Sequence, residues 1–166
     1  MENSTKSSLD NLFAIIRTGR AVLFTGAGFS CGCTNLLGKE PPLAKELSHM
    51  ICNKGQFKED DDLAYTADYF LNNKNKNDLL FMLKENFTLN HVEDYHCKIT
   101  GLKWKRIYTT NYDNSIEEAA KKSNKVIYSL SIDDSPKEFY KKNNCCVHIN
   151  GSIESASECD LCHRRC

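Results

Sequence analysis

Four short apolar runs, each closing on polar residues and each set apart by helix-forming sequence, constrain this chain more than any other feature. They occupy residues 21–25, 106–110, 126–130 and 145–149. Runs of this length, rich in β-branched and aromatic residues, suit strands better than helices. Strands that alternate with helices build parallel sheets, because a parallel pair needs a crossover and a helix supplies it. The expected fold is therefore α/β: a Rossmann-like parallel sheet flanked by helices, with a small helical insertion between the first and second strands. That insertion has helical pattern over residues 62–71, 77–86 and 92–99, with Leu79, Leu80, Met82 and Leu83 as one buried stripe. Leu9, Leu12, Phe13 and Ile16 mark the apolar face of a helix that ends at Gly19, a further helix begins near Pro42, and another covers residues 115–122. The run at 21–25 is continuously apolar, which predicts a strand buried on both faces.

A length of 166 residues holds one domain with a sizeable core. Lys plus Arg and Asp plus Glu balance at 22 each, so no net field draws the chain to nucleic acid or an anionic membrane. The cluster Lys103-Trp104-Lys105-Arg106 is expected to be a solvated face. No apolar run is long enough to span a bilayer. The polar start, Met1-Glu2-Asn3-Ser4-Thr5-Lys6, lacks the apolar stretch of a secretory signal, so a cytoplasmic location is expected. Nine cysteines, an odd count with Cys145 and Cys146 adjacent, fit a reduced compartment and no disulfide framework. The expected division is one domain over residues 1–152 and an unassigned Cys-rich tail over 153–166.

In parallel sheets ligands bind at the carboxyl ends of the strands. Three polar motifs fall at such ends: Gly26-Ala27-Gly28-Phe29-Ser30, Thr110-Asn111-Tyr112-Asp113, and His148-Ile149-Asn150-Gly151-Ser152. Glycines after a strand let backbone N–H groups approach a pyrophosphate, although a tight structural turn accounts for them nearly as well. The usual dinucleotide fingerprint is broken, since Cys31 stands where its third glycine belongs. Gly38-Lys39 is no phosphate loop, because Cys33 and Glu40 occupy the positions of its glycine and its hydroxyl residue. Asp113 or Asn114 suits a helix cap, whereas Asn111 comes too early for one. A histidine at a strand end is more often structural than catalytic, but His148 ends a different strand of the same expected sheet. It can therefore share a crevice with Asn111.

These motifs, in this order and joined by Pro42-Leu43-Ala44-Lys45-Glu46-Leu47, resemble the sirtuin-like (silent-information-regulator-like) domain, and in particular its bacterial anti-phage defence branch. The resemblance runs from about Leu9 to Ser152. It implies that the chain takes NAD as substrate and hydrolyses the nicotinamide–ribose bond as the effector of a defence system. Gly26, Ala27, Gly28, Phe29 and Ser30 would hold the pyrophosphate, with Phe29 closing over the cofactor. Asp113 would line the nicotinamide pocket or orient Asn111, and Thr110 and Gly151 would also be cofactor-binding. Asn111 would hydrogen-bond the ribose or the attacking water, and His148 would act as general base. The implied partners are NAD and a homo-oligomer or larger defence assembly, with no direct nucleic-acid binding and no membrane.

Two departures narrow this. Cys31-Gly32-Cys33-Thr34-Asn35 replaces the G-I-P-x-F-R segment of protein-deacylating sirtuins, and no paired C-x-x-C zinc ribbon follows, so deacylation is the weaker expectation. The family's sheet continues past the histidine with strands that build much of the adenosine site, and none can be placed after Ser152. The expectation is a truncated gene product or a fragment of a longer protein, with weak NAD binding, slow or absent turnover and a fourth strand with an open edge prone to self-association. The tail Cys159-Asp160-Leu161-Cys162-His163-Arg164-Arg165-Cys166 is expected to bind no metal, since adjacent Cys162 and His163 make a cramped pair for one tetrahedral ion. The rival function is a non-catalytic nucleotide-sensing or assembly module of the same fold.

Overall fold

The structure, a computed structural model, describes residues 2–154. Helix α1, Glu2–Arg17, ends where Gly19 adopts a positive φ of 71°, a conformation that glycine takes without strain. Strand β1, Val22–Thr25, leads into a 3-10 turn over Ala27–Ser30 and the two-residue strand β2, Thr34–Asn35. Helix α2, Ala44–Gly55, starts two residues after Pro42. Leu43 is its extended N-cap, and its N–H donates to the Glu46 carboxylate at 2.9 Å. Helix α3, Leu63–Asn73, is capped by the Asp62 carboxylate, and α4, Lys76–Phe87, by the Asn75 side chain.

Strand β3, Leu89–His91, pairs antiparallel with β2 and is followed by α5, Asp94–Thr100. Then come β4, Arg106–Thr109; α6, Ser115–Lys122; β5, Tyr128–Ser131; α7, Pro136–Lys141; and β6, Cys145–His148. The main sheet is parallel with strand order β1-β4-β6-β5, so the α/β, Rossmann-like architecture flanked by helices stands as expected.

The helical insertion supplies the largest apolar cluster, in which Leu47, Ile51, Phe70, Leu79, Met82, Leu83 and Phe87 pack together. Leu80, expected in the same stripe, is only partly buried against it. Ile153 joins this cluster from beyond β6, and its N–H donates to the Tyr112 carbonyl at 2.8 Å. The sheet itself sits between two smaller clusters. Ile107 and Cys146 meet Ile116 of α6 on one face, while Leu130, Cys145 and Val147 meet Phe139 of α7 on the other. Alternation along β6 thus sends Cys146 and His148 toward α6.

Two expectations are corrected. Strand β1 is not buried on both faces: Val22 and Phe24 lie exposed, Phe24 by 64 %. Among the described residues it is an edge strand paired with β4, and its inner face carries Leu23, packed against the core, and the buried Thr25. Nor does the fourth strand of the sheet have an open edge. β6 is flanked by β4 and β5, because the chain first crosses to the far side to lay down β5 and then returns to fill the gap. The edges are β1 and β5. Of the expected tail over 153–166, Ile153 packs into the core, and residues 155–166, with all three tail cysteines, lie outside the described residues.

Candidate functional site

Register brings the three motifs together. Thr25 pairs with Thr109, Thr109 with His148, and His148 with Ser131, so one row of polar side chains marks the carboxyl ends of the four strands. The motifs after β1, β4 and β6 follow three adjacent strands, as the shared-crevice argument requires.

One continuous set of hydrogen bonds joins them. The Asn111 side-chain amide donates to Ser30 Oγ at 2.8 Å, and Ser30 Oγ donates to Asp113 Oδ2 at 2.6 Å. Asp113 Oδ1 accepts from the Ser115 N–H at 3.0 Å. A single carboxylate thus serves the first turn of α6 and also fixes the serine that ends the glycine loop. Asn114, the other candidate cap, has its Oδ1 turned to the Leu89 N–H at 2.7 Å, which ties β3 to the start of α6. Chains of this kind polarise one another, so each bond orients the next.

His148 is wholly buried, at 0 % exposure. Its Nδ1 lies 3.0 Å from the Asn111 carbonyl oxygen and its Nε2 3.0 Å from Glu117 Oε1. Burial pulls the imidazole pKa down. The hydrogen bond and charge of Glu117, the Asn111 carbonyl and the Asp113 charge together outweigh burial, and the net shift is upward. The general-base role expected from the sequence requires Nε2 to leave Glu117. Glu117 carries no signal of this role in the sequence, because an acid in the first turn of α6 is already accounted for by the helix dipole. Its Oε2 is buried with no hydrogen-bond partner.

The glycine loop itself lines an open hollow of about 430 Å³ with Leu23, Phe24, Thr25, Tyr95 and Ile99. A Cβ on Gly28 would meet nothing within 4 Å, whereas one on Gly26 would come within 3.3 Å of Thr110 Oγ1. Thr25 Oγ1 is buried without a hydrogen-bond partner at the rim of this hollow. An unpaired hydroxyl and a bare glycine backbone are what a phosphate-bearing ligand would use. Phe29, expected to close over the cofactor, is part of the hollow's lining and stands edge-on to Tyr95 and His96, against the Ile107 cluster. Helix α5, which the sequence reading left unassigned to any site, clamps the loop from behind. Tyr95 Oη donates to the Cys31 carbonyl at 2.8 Å, and His96 Nε2 reaches both the Phe29 carbonyl and Cys33 Sγ. Burial, with the charges of Asp113 and Glu93, pushes the Cys33 thiol up to about 12, and the side chain packs with Leu89, Val92 and Ala119.

At the last motif Gly151 has a φ of 88°, which explains its glycine, and the Asn150 amide donates to the Thr110 carbonyl at 3.1 Å. Asn111, Asp113 and His148 lie behind the hollow and do not line it. The structure therefore joins Ser30, Asn111, Asp113 and His148 into one network. It leaves Gly26, Ala27, Gly28 and Phe29 at the network's outer side.

Fold and site together define a Rossmann-like α/β protein with its polar residues gathered at neighbouring strand ends. Residues 105–164 match the model of the SIR2-like domain, and over that segment the chain is similar to it. The matched segment contains Asn111, Asp113, Glu117, His148 and Gly151, while the glycine loop precedes it. A comparison with curated proteins gives no match. No helix among the described residues is long and apolar enough to cross a membrane.

Proposed function

We propose that this chain hydrolyses NAD+ at the nicotinamide–ribose bond, with water as the acceptor, yielding nicotinamide, ADP-ribose and a proton. The observation that carries the reading is the bond from Asn111 to Ser30 to Asp113. It couples the end of a pyrophosphate-type glycine loop to the polar ends of the next two strands. The backbone of Gly26, Ala27, Gly28, Phe29 and Ser30 would take the pyrophosphate, assisted by Thr25 Oγ1. Thr110, Asp113 and Gly151 would shape the nicotinamide side. Asn111 would meet the ribose or the incoming water, with His148 directly behind it. The C–N bond breaks through an oxocarbenium-like state, so dipoles fixed around the ribose lower the barrier. Anti-phage defence, within a homo-oligomer or a larger assembly in the cytoplasm, is the setting that the ordered motifs support.

The complete burial of His148 favours one rival, a module of the same fold that binds the nucleotide without turning it over. Mixing purified protein with NAD+ and following nicotinamide by chromatography, beside calorimetric binding, separates the two. Nicotinamide release that Asn111→Ala abolishes supports hydrolysis, whereas saturable binding with no release establishes the module. Deacetylated product from an acetyl-lysine peptide would displace both.

A further inference from the structure

The pair formed by Glu117 and His148 has no place in the roles given so far. Both acceptors around the imidazole are oxygens: a main-chain carbonyl at Nδ1 and a carboxylate at Nε2, each at 3.0 Å. With Glu117 ionised, a ring between two acceptors donates from both nitrogens and is an imidazolium whose charge Glu117 balances. Burying either charge alone is costly, and together they form one hydrogen-bonded unit. The charged and titratable groups around the ring are Glu117 of α6, Asp113 ahead of it, Cys146 on the same strand and Glu154 beyond it.

We propose that Glu117 and His148 are a buried positioning pair that sets the main chain of Asn111, and that His148 is not the base. This rests on the hydrolase reading above for its functional meaning. Asn111 is held at two points, its carbonyl by His148 and its side-chain amide by Ser30. The two contacts fix where the rest of that side chain can aim. Both anchors lead back to α6, one through Glu117 and the other through Asp113, so the helix and the strand ends brace the asparagine as a closed frame. A ring with no exposed surface and no unpaired nitrogen offers a substrate hydroxyl nowhere to put a proton. A metal is the other occupant to weigh, because Glu117, Cys146 and His148 bring ligand atoms within 4.8 Å of one another. A cation there would need a thiolate. Burial first, and then the charges of Glu117, Cys145, Asp113 and Glu154, hold the Cys146 thiol far above its ordinary pKa. The ring proton occupies the place a cation would take.

The test uses the full chain carrying His148→Asn, His148→Ala, Glu117→Gln or no change. Asparagine retains a donor where Nδ1 stood but cannot act as a base. Misplacing a reacting group by about 1 Å costs roughly 10²-fold, which is the loss expected in kcat for His148→Ala with KM little changed. His148→Asn should keep kcat within about tenfold of wild type. Nitrogen-15 spectra of the imidazole supply a readout that needs no turnover. Both ring nitrogens should carry protons at pH 7 in the wild type, and Glu117→Gln should release one of them and move the Asn111 carbonyl shift. If His148→Asn is as slow as His148→Ala while the Asn111 shift stays put, the positioning assignment is overturned. One zinc per chain that Cys146→Ser removes would overturn it as well. If even the wild type releases no nicotinamide, the hydrolase reading falls, and the spectra still decide whether the pair holds Asn111.

Discussion

The carboxyl ends of β1, β4 and β6 and the outer side of the α1–β1 edge are built on opposite plans. At the strand ends, Ser30, Asn111, Asp113 and His148 are polar, buried and joined to one another. At the edge, Leu9, Leu12, Phe13, Ile15, Val22 and Phe24 are apolar and exposed. Buried polar groups lose water and recover the loss only through partners at fixed distances, so each neighbour is specified by the last. Exposed apolar groups recover nothing and specify nothing. The strand ends are thus where a single substitution should propagate, and the edge is where it should not.

The largest expected effect tests the network at the end proposed to meet the ribose. Asn111→Ala should lower nicotinamide release by about 10²–10³-fold, the worth of one preorganised polar group at a developing charge. Thermal unfolding should show the protein still folded. Activity within twofold of wild type would mean that the network serves structure alone.

Next is the network's structural end. Asp113→Ala removes two hydrogen bonds to one carboxylate, from Ser30 and from the Ser115 N–H. At roughly 1.5–3 kcal/mol for each bond to a charged group, a loss of about 3 kcal/mol or more in urea unfolding is expected. A loss below 1 kcal/mol would show that water replaces the carboxylate and that the strand ends are less closed than their burial implies.

The third effect is set by pH. The His148 pKa is raised in the folded chain, so its stabilisation is complete below the ordinary histidine range and is lost as pH climbs through the raised value. The wild type should therefore lose melting temperature between pH 6 and pH 8, at most about 1.4 kcal/mol per pH unit, while His148→Asn stays flatter. That window stays below the pH near 8.5 at which the cysteines of the unfolded chain ionise. A parallel fall in both proteins would assign the effect to other groups.

How much of this was legible before the structure depended on the range of the interaction that decides it. The sheet, its four strands and the convergence of three motifs followed from local apolar runs and the polar residues after them. Strand order did not, because β6 inserts between β4 and β5 through packing that no local pattern records. The β2–β3 pair of two- and three-residue strands is too short to show alternation, and α7 has no buried residue to give it a stripe. Within the site, Asn111 and Asp113 were visible as polar residues at a strand end. Glu117 looked like an ordinary surface acid of a helix, and Tyr95 and His96 looked like part of an insertion. Their roles come from the loop and strand they meet in space, many residues away in sequence.

The smallest expected effect concerns the edge. Leu12→Gln exchanges a residue on the exposed face of α1 for one of nearly equal helix propensity. Since Leu12 keeps about half its surface in solvent, its loss should change unfolding free energy by no more than about 0.5 kcal/mol. Ile16, one turn further on the same helix, is buried, and Ile16→Ala should cost about 2 kcal/mol or more by opening a cavity. Leu12 and Ile16 lie one turn apart on the same face, so the contrast measures how far along that face of α1 the core extends. Urea midpoints should be taken at two protein concentrations tenfold apart. A concentration-independent result for Leu12→Gln means that the exposed face is solvated. A loss of 2 kcal/mol or more that grows with concentration in the wild type would mean that another copy covers this face in solution. The edge would then be as strictly specified as the strand ends, and the contrast between the two regions would fail.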